Sequence, residues 1–93
     1  MSAITAVFDI PGMTSKQYDQ TIKDLEAAGA SAPKGRLYHV ANSKVGSWFV
    51  VDVWESAELL GAFAQTLMPI LQKNGVTPPQ PQIHPVHNII KGK

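Results

Sequence analysis

Apolar and polar residues follow two different periods along this chain, one typical of strands and the other of helices. Short runs of β-branched and aromatic residues, bounded by Gly, Pro, Asn or Ser, predict strands. Apolar positions spaced three and four apart predict amphipathic helices after the first and the third of these runs. The predicted strands are Ala3–Asp9, Arg36–Asn42, Trp48–Trp54 and Ile83–Ile90.

Both predicted helices carry start and stop signals. Thr14 and Gln17, three residues apart, form a capping box at the start of the first helix, and Ser56 is the N-cap of the second, which ends at Asn74. Both crossovers are long enough to be right-handed, so the two helices pack on the same face of the sheet. The sequence therefore predicts one α+β domain over residues 1–93: a ferredoxin-like βαββαβ fold with a four-stranded antiparallel sheet.

The third strand is apolar on both faces, since Asp52 is the one polar residue in Trp48–Trp54. A strand that is wet on one side should alternate, and two helices can cover only one face of the sheet. The other face therefore predicts an interface. We expect a homodimer in which each copy covers this face of the other.

The C-terminal segment is predicted to contribute to the same dimer. Prolines in Pro78–Pro81 favour an extended arm, which carries the last strand away from the second helix. Pro85 lacks a backbone donor, so that strand belongs at a sheet edge or a bulge. Its aliphatic side chains are more than an exposed edge should leave in water, and we expect them to meet the partner.

Composition narrows the possible partners and compartment. Eight basic and seven acidic residues are scattered and give a net charge of +1, so the chain lacks the basic stripe that nucleic acids require. There is no cysteine, which excludes disulfides and thiolate chemistry and favours a reducing compartment for so small a domain. No apolar run approaches membrane-spanning length, and we see no signal peptide. We expect a cytoplasmic protein that binds neither nucleic acid nor membrane.

His39 and Asp52 are the candidate catalytic residues. A carboxylate inside the most apolar strand is costly to bury unpaired, and histidine is the side chain best suited to proton transfer near neutral pH. On a shared face, Asp52 would orient His39 as a general base. Whether the two residues share a face depends on the register of the hairpin between the second and third strands, which the sequence leaves open. The structural alternatives are a hydrogen-bonded histidine and a carboxylate bonded to backbone amides or to Arg36.

Aromatic side chains indicate a ligand pocket, although aromatics also fill ordinary cores. Trp54 shares a strand face with Asp52, because strand side chains alternate. Small residues on the second helix, Gly61 and Ala64, would leave space for a cavity of roughly a few hundred Å³. The predicted ligand contacts are Trp54, Tyr38, Phe63 and His87.

A metal site is not predicted. His84 and His87 lie three apart on a strand and point to opposite faces, so they cannot chelate one ion, and only one of them could join His39. No glycine-rich phosphate loop or nucleotide fingerprint occurs either. We expect neither metal nor cofactor.

A strand-to-helix signature joins the third strand to the second helix. The run Val51–Ser56 is followed by Leu59, Leu60 and Phe63, and Gly35–Val40, Pro11–Thr14 and Leu67–Pro69 accompany it. Together these segments resemble the dimeric α+β barrel superfamily, in particular its small antibiotic-biosynthesis monooxygenase-like proteins. The resemblance covers almost the whole chain.

The resemblance implies a dimeric barrel with a ligand site between the sheet and helices of each subunit. Characterised relatives include cofactor-independent oxygenases of aromatic polyketides, haem-degrading enzymes, and isomerases or decarboxylases of small lactones and acids. The haem-degrading pattern has a Trp and a His on the second helix, and this helix has neither. Oxygenase relatives use an Asn close to the strand-three Trp, where this chain has Val50.

These observations leave one catalytic function and two non-catalytic functions open. We expect a small-molecule pocket protein, a cofactor-independent monooxygenase or isomerase acting on aromatic or polyketide-like substrates. The alternatives are a non-catalytic dimeric ligand-binding module and a structural oligomer whose cavity is closed by side chains.

Overall fold

The computed structural model describes residues 3–92 and has the predicted element order. The strands form one antiparallel sheet in the order β2-β3-β1-β4. This confirms the predicted α+β, ferredoxin-like fold. The elements are β1 (Ile4–Pro11), α1 (Ser15–Ala27), β2 (Arg36–Lys44), β3 (Ser47–Trp54), α2 (Ala57–Lys73) and β4 (Gln82–Pro85).

The core lies between the helices and one face of the sheet. Alternate residues of β1 and β3 point toward the helices, and Trp54 among them has no exposed surface. Buried residues form two clusters, one around Trp54 and one nearer the end of α2. The first contains Ile4, Ala6, Leu25, Trp54, Leu60 and Phe63, and the second Ile10, Met13, Leu71 and Val76.

Helix α1 begins at the predicted capping box. The Gln17 amide donates to the Thr14 hydroxyl at 3.2 Å, and the Thr14 amide donates to the Gln17 side-chain oxygen at 3.0 Å. These two bonds satisfy donors that the first turn would otherwise leave unpaired. Tyr18 follows immediately, on the turn that the cap holds in place.

Strand β2 begins with a tight glycine and a bulge. Gly35 has a φ of +92°, and a Cβ atom there would collide with the Leu59 side chain of α2. Its carbonyl accepts from the Glu55 amide at 2.7 Å, which fixes the start of β2 beside the end of β3. Arg36 then pairs with Trp54, so Leu37 is an extra residue in the ladder.

The last strand is shorter than predicted. The prediction of Ile83–Ile90 is wrong because β4 covers only Gln82–Pro85 and pairs with β1 along the sheet edge. Ile4, the first residue of β1, lies opposite Pro85, so within residues 3–92 the segment after Pro85 has no strand to pair with. One further bond, from the Val86 amide to the Ala3 carbonyl at 3.0 Å, follows the ladder. Pro85 does lie on an edge strand, as predicted.

The centre of the sheet face away from the helices is apolar, and the described elements leave it uncovered. Val51 lies opposite both Val7 and Val40, and Val53 lies opposite Tyr38. Val40 is 53% exposed. Across residues 3–92, no helix is long and apolar enough to cross a bilayer.

Candidate functional site

His39 and Asp52 are direct cross-strand partners on β2 and β3. The register that the sequence left open therefore brings them to the same face, toward the helices. His39 Nδ1 lies 2.6 Å from Asp52 Oδ1, and the carboxyl side chain is 5% exposed. So short a contact between a histidine nitrogen and a buried carboxylate is a charge-assisted hydrogen bond, with Nδ1–H donating.

The other oxygen of Asp52 is bonded as well. Trp54, two residues along β3 on the same face, donates its indole Nε1–H to Oδ2 at 3.2 Å. Both carboxylate oxygens thus have a donor, which offsets the cost of burial. The alternatives of backbone amides or Arg36 as partners of Asp52 are wrong.

Tyr18 of α1 completes the arrangement from the opposite side. Its hydroxyl lies 2.7 Å from His39 Nε2. Because Nδ1 carries the proton that Asp52 accepts, Nε2 of the neutral ring is an acceptor and the phenol donates to it. Hydrogen bonds therefore run from Tyr18 through His39 to Asp52, and Trp54 donates a further bond to the Asp52 carboxylate.

The Tyr18 ring is held by stacking. It packs on Trp48 at 5.3 Å between centroids and lies nearly parallel to the His39 ring at 6.1 Å. Burial raises the pKa of the Tyr18 phenol above its ordinary value of 10.0; Arg36 opposes this rise, and the carboxylates of Asp52 and Asp19 add to it. The phenol is therefore protonated at neutral pH and available as a donor.

A cavity lies between the sheet and both helices, beside this chain of hydrogen bonds. Its volume is about 100 Å³, smaller than the sequence analysis predicted, and it is partly open to solvent. Members of both core clusters line it, as do three prolines of the arm after α2. Its polar lining consists of Tyr18, Thr21, Arg36, His39 and Asp52.

Of the four predicted ligand contacts, Phe63 alone lines the cavity. Phe63 lies on the cavity wall, whereas Trp54 lies behind it and packs on Phe63 at 5.4 Å between ring centroids. Tyr38 points to the outer sheet face, and His87 is exposed beyond β4. On helix α2, Ala64 lines the cavity and Gly61 is exposed. The binding roles predicted for Trp54, Tyr38 and His87 stay predictions: none of the three lines the cavity, and Tyr38 lines a separate depression at the edge of β2.

Sequence reasoning missed Tyr18 and Arg36 as site residues. Tyr18 has helical spacing with Ile22 and Leu25, a pattern typical of the apolar face of α1 rather than of a polar site. Its signal was chemical, because a hydroxyl on a buried helix face needs a partner. Arg36 was named only as a possible partner of Asp52, because the bulge that turns it toward the cavity is not visible in the sequence. The described residues contain no group of three or more His, Cys, Asp or Glu that could hold a metal ion.

Similar folds occur among known structures. SnoaB, a cofactor-independent oxygenase from Streptomyces nogalater, matches at a TM-score of 0.69 with 11% identity over 99% of this chain and 100% of that one. A candidate antibiotic biosynthesis monooxygenase from Chloroflexus aurantiacus J-10-fl matches at 0.68, with 12% identity over 97% and 98% of the two chains. A candidate monooxygenase from Shewanella loihica PV-4 matches at 0.57, with 18% identity over 96% and 99%.

These likenesses lie in the fold. They confirm the resemblance to antibiotic-biosynthesis monooxygenase-like structures at that level, over nearly the whole chain. No protein-family model matches the sequence, and no curated protein matches it.

Proposed function

We propose that the chain binds a small aromatic molecule in the cavity beneath α1 and α2 and removes a proton from it. The observation that carries the proposal is the chain of hydrogen bonds from Tyr18 through His39 to Asp52, which ends on the cavity wall. A buried carboxylate behind a histidine, and a histidine behind a hydroxyl, is the arrangement that makes a weak acid–base group effective. Removal of this proton would be the first step of a cofactor-independent oxygenation or of an isomerisation of the ligand.

The hydrogen-bond directions define the proton path. The Tyr18 hydroxyl donates to His39 Nε2 and keeps an oxygen lone pair for the ligand. As the ligand transfers its proton to this oxygen, the phenol passes its own proton to Nε2. The resulting imidazolium is stabilised by Asp52, which positions His39 without becoming protonated.

Both proposed reactions share this first step. In isomerisation, the proton returns to a different atom of the delocalised anion. In oxygenation, the carbanion gives an electron to dioxygen, and the two radicals combine into a peroxide anion, which takes back the proton held by His39 and Tyr18 and becomes a hydroperoxide. Loss of water then leaves a carbonyl, so a CH₂ group and O₂ become C=O and H₂O. The substrate itself is the reductant, and this chemistry needs no cofactor.

The cavity volume restricts the ligand. Drug-sized ligands occupy pockets of roughly 300–1,000 Å³. A cavity of about 100 Å³ favours a ligand of one ring over a larger polyketide. Pro78, Pro79 and Pro81 line the cavity, so the position of the arm sets this limit.

We also propose a homodimer formed through the outer sheet face. Phe49, Val51 and Val53 alternate along β3 on this face, in the middle of the sheet and only partly buried. The C-terminal segment adds exposed aliphatic surface at the sheet edge and beyond it, with Ile83 47% and Ile90 87% exposed, although Ile83 lies opposite Ala6 and therefore on the helix side of the sheet. A second copy presenting the same outer face would remove the apolar residues of β3 from water.

Dioxygen uptake tests the function and separates its forms. Chelator-treated protein is incubated with phenylacetone, a one-ring ketone with an acidic benzylic CH₂, in air and under nitrogen. Uptake of dioxygen with formation of the diketone supports the oxygenase. Exchange of the benzylic protons with solvent, without uptake, supports the isomerase form. Binding with neither would show a non-catalytic binding module instead.

A further inference from the structure

Arg36 is the one arginine or lysine on the cavity wall within residues 3–92. Strand alternation alone would place it on the outer face, because it precedes His39 by three residues. The bulge at Leu37 restores it to the inner face, opposite Trp54. Bulges occur where a strand re-aims a side chain, often next to a functional site.

The guanidinium of Arg36 has donors to spare. Nη2 donates to the Ser31 carbonyl at 3.2 Å, and the guanidinium carbon lies 5.8 Å from the centroid of the Phe63 ring. Within the described part of the chain, no carboxylate approaches the guanidinium within 4.0 Å. Asp52, the other charged group on the wall, is engaged by His39 and Trp54.

Arg36 also stands at the junction of two spaces. A second, more open depression of about 280 Å³ lies at the edge of β2. It is lined by three residues of the loop before β2, Ser31 to Pro33, and by the first four residues of β2, Arg36 to His39, and it is more polar than the cavity. Arg36 and His39 line both spaces. A ligand could therefore place an apolar body inside and an anionic group at the guanidinium.

We infer that Arg36 selects ligands that carry a carboxylate, bound by two guanidinium donors at this junction. The planar fork of arginine matches the two oxygens of a carboxylate, and partial burial strengthens the pair. The inference rests on the proposed function and narrows it. The ligand is an aromatic acid whose ring contacts Phe63 and whose acidic C–H faces the Tyr18 hydroxyl.

A matched pair of ligands tests this selection. Phenylpyruvate and phenylacetone share a phenyl ring, a benzylic CH₂ and a ketone, and only the first carries a carboxylate. Their dissociation constants are measured by titration of amide chemical shifts. We expect the acid to bind on the order of tenfold more tightly or better, and its preference to fall as salt rises.

Three variants assign the preference to Arg36. R36Q should abolish it, and R36K, which keeps the charge without the fork, should reduce it. K34Q removes a cation from an exposed position nearby and should leave the preference unchanged. If R36Q does not give a folded amide spectrum, R36K decides: an undiminished preference there contradicts the inference.

The remaining outcomes separate the inference from the proposed function. Equal binding of both ligands by the native chain overturns the inference, and proton exchange of phenylacetone then leaves the proposed function standing. A preference that survives in R36Q also overturns it. Binding of neither ligand overturns the inference and the proposed pocket together.

Discussion

Tyr18 and His39 come from α1 and β2, and their side chains meet at 2.7 Å between the phenol oxygen and Nε2. The contact is possible because the capping box at Thr14 sets where α1 begins and because β2 pairs with β3 in one register. A helix start or a strand register shifted by one residue would separate the two groups. The proposed acid–base site therefore depends on two local features of the fold.

The first prediction concerns the tautomer of His39. With Asp52 accepting from Nδ1 and Tyr18 donating to Nε2, the neutral ring should carry its proton on Nδ1. Nitrogen chemical shifts of the imidazole should show this directly, while the exposed His84 and His87 serve as internal references. D52N should remove the preference for Nδ1–H. If the neutral His39 ring of the native protein carries its proton on Nε2, the proposed hydrogen-bond directions are contradicted.

The second prediction separates the two tryptophans. W54F removes the donor to Asp52 Oδ2 and part of a fully buried ring, so the free energy of unfolding should fall by about 2–4 kcal/mol. W48F is the matched control, because the Trp48 Nε1 is buried with no hydrogen-bond partner in the described residues. It should cost clearly less. Equal losses in denaturant unfolding would show that the bond to Asp52 adds nothing.

The third prediction is a loss of stability in alkali that depends on Tyr18. Burial raises the pKa of its phenol in the folded chain, so the unfolded chain releases this proton first. The stability contributed by the neutral phenol is complete below the ordinary value of 10.0 and is lost as the pH rises through the higher folded value. Y18F should therefore show a shallower decline than the native chain. Parallel curves for Y18F and the native chain would contradict this.

The fourth prediction is that one charge on the outer face separates the dimer. Val51 lies at the centre of that face, opposite Val7 and Val40. V51D would bury two carboxylates in the interface, and sedimentation should give a folded monomer. V45D makes the same substitution in the fully exposed β2–β3 turn and should stay dimeric. A monomeric native chain at micromolar concentration would overturn the dimer.

Much of the fold could be predicted because its signals are local. The Thr14 and Gln17 cap and the apolar runs of β1 and β3 each specify their own element. The length of β4 could not be predicted, because β4 ends at Pro85, which lies opposite Ile4, the first residue of β1. The end of β4 therefore depends on another strand. His39 and Asp52 were identified by residue type, but their contact required the register of the hairpin.

Arg36 is a clearer case of a site residue whose position could not be predicted from the sequence. Its face is set by one extra residue in the ladder, stabilised by the close packing of Gly35 against Leu59. Nothing in a strand pattern marks such a bulge in advance. Tyr18 was accessible in principle, because its hydroxyl lies on a helix face that the pattern already placed toward the sheet.

The central claim is that Tyr18 and His39 move a proton of a bound ligand, and hydrogen exchange measures this most directly. Phenylacetone is incubated with the protein in heavy water under nitrogen, and loss of its benzylic proton signal is followed by NMR. The native chain should accelerate exchange over buffer, and H39Q and Y18F should each lower the rate by about a hundredfold or more. H84Q is the matched control, since His84 is exposed on the edge strand, and should exchange at the native rate. Exchange in H39Q at the native rate, or no exchange by a native chain shown to bind the ketone, would contradict the account.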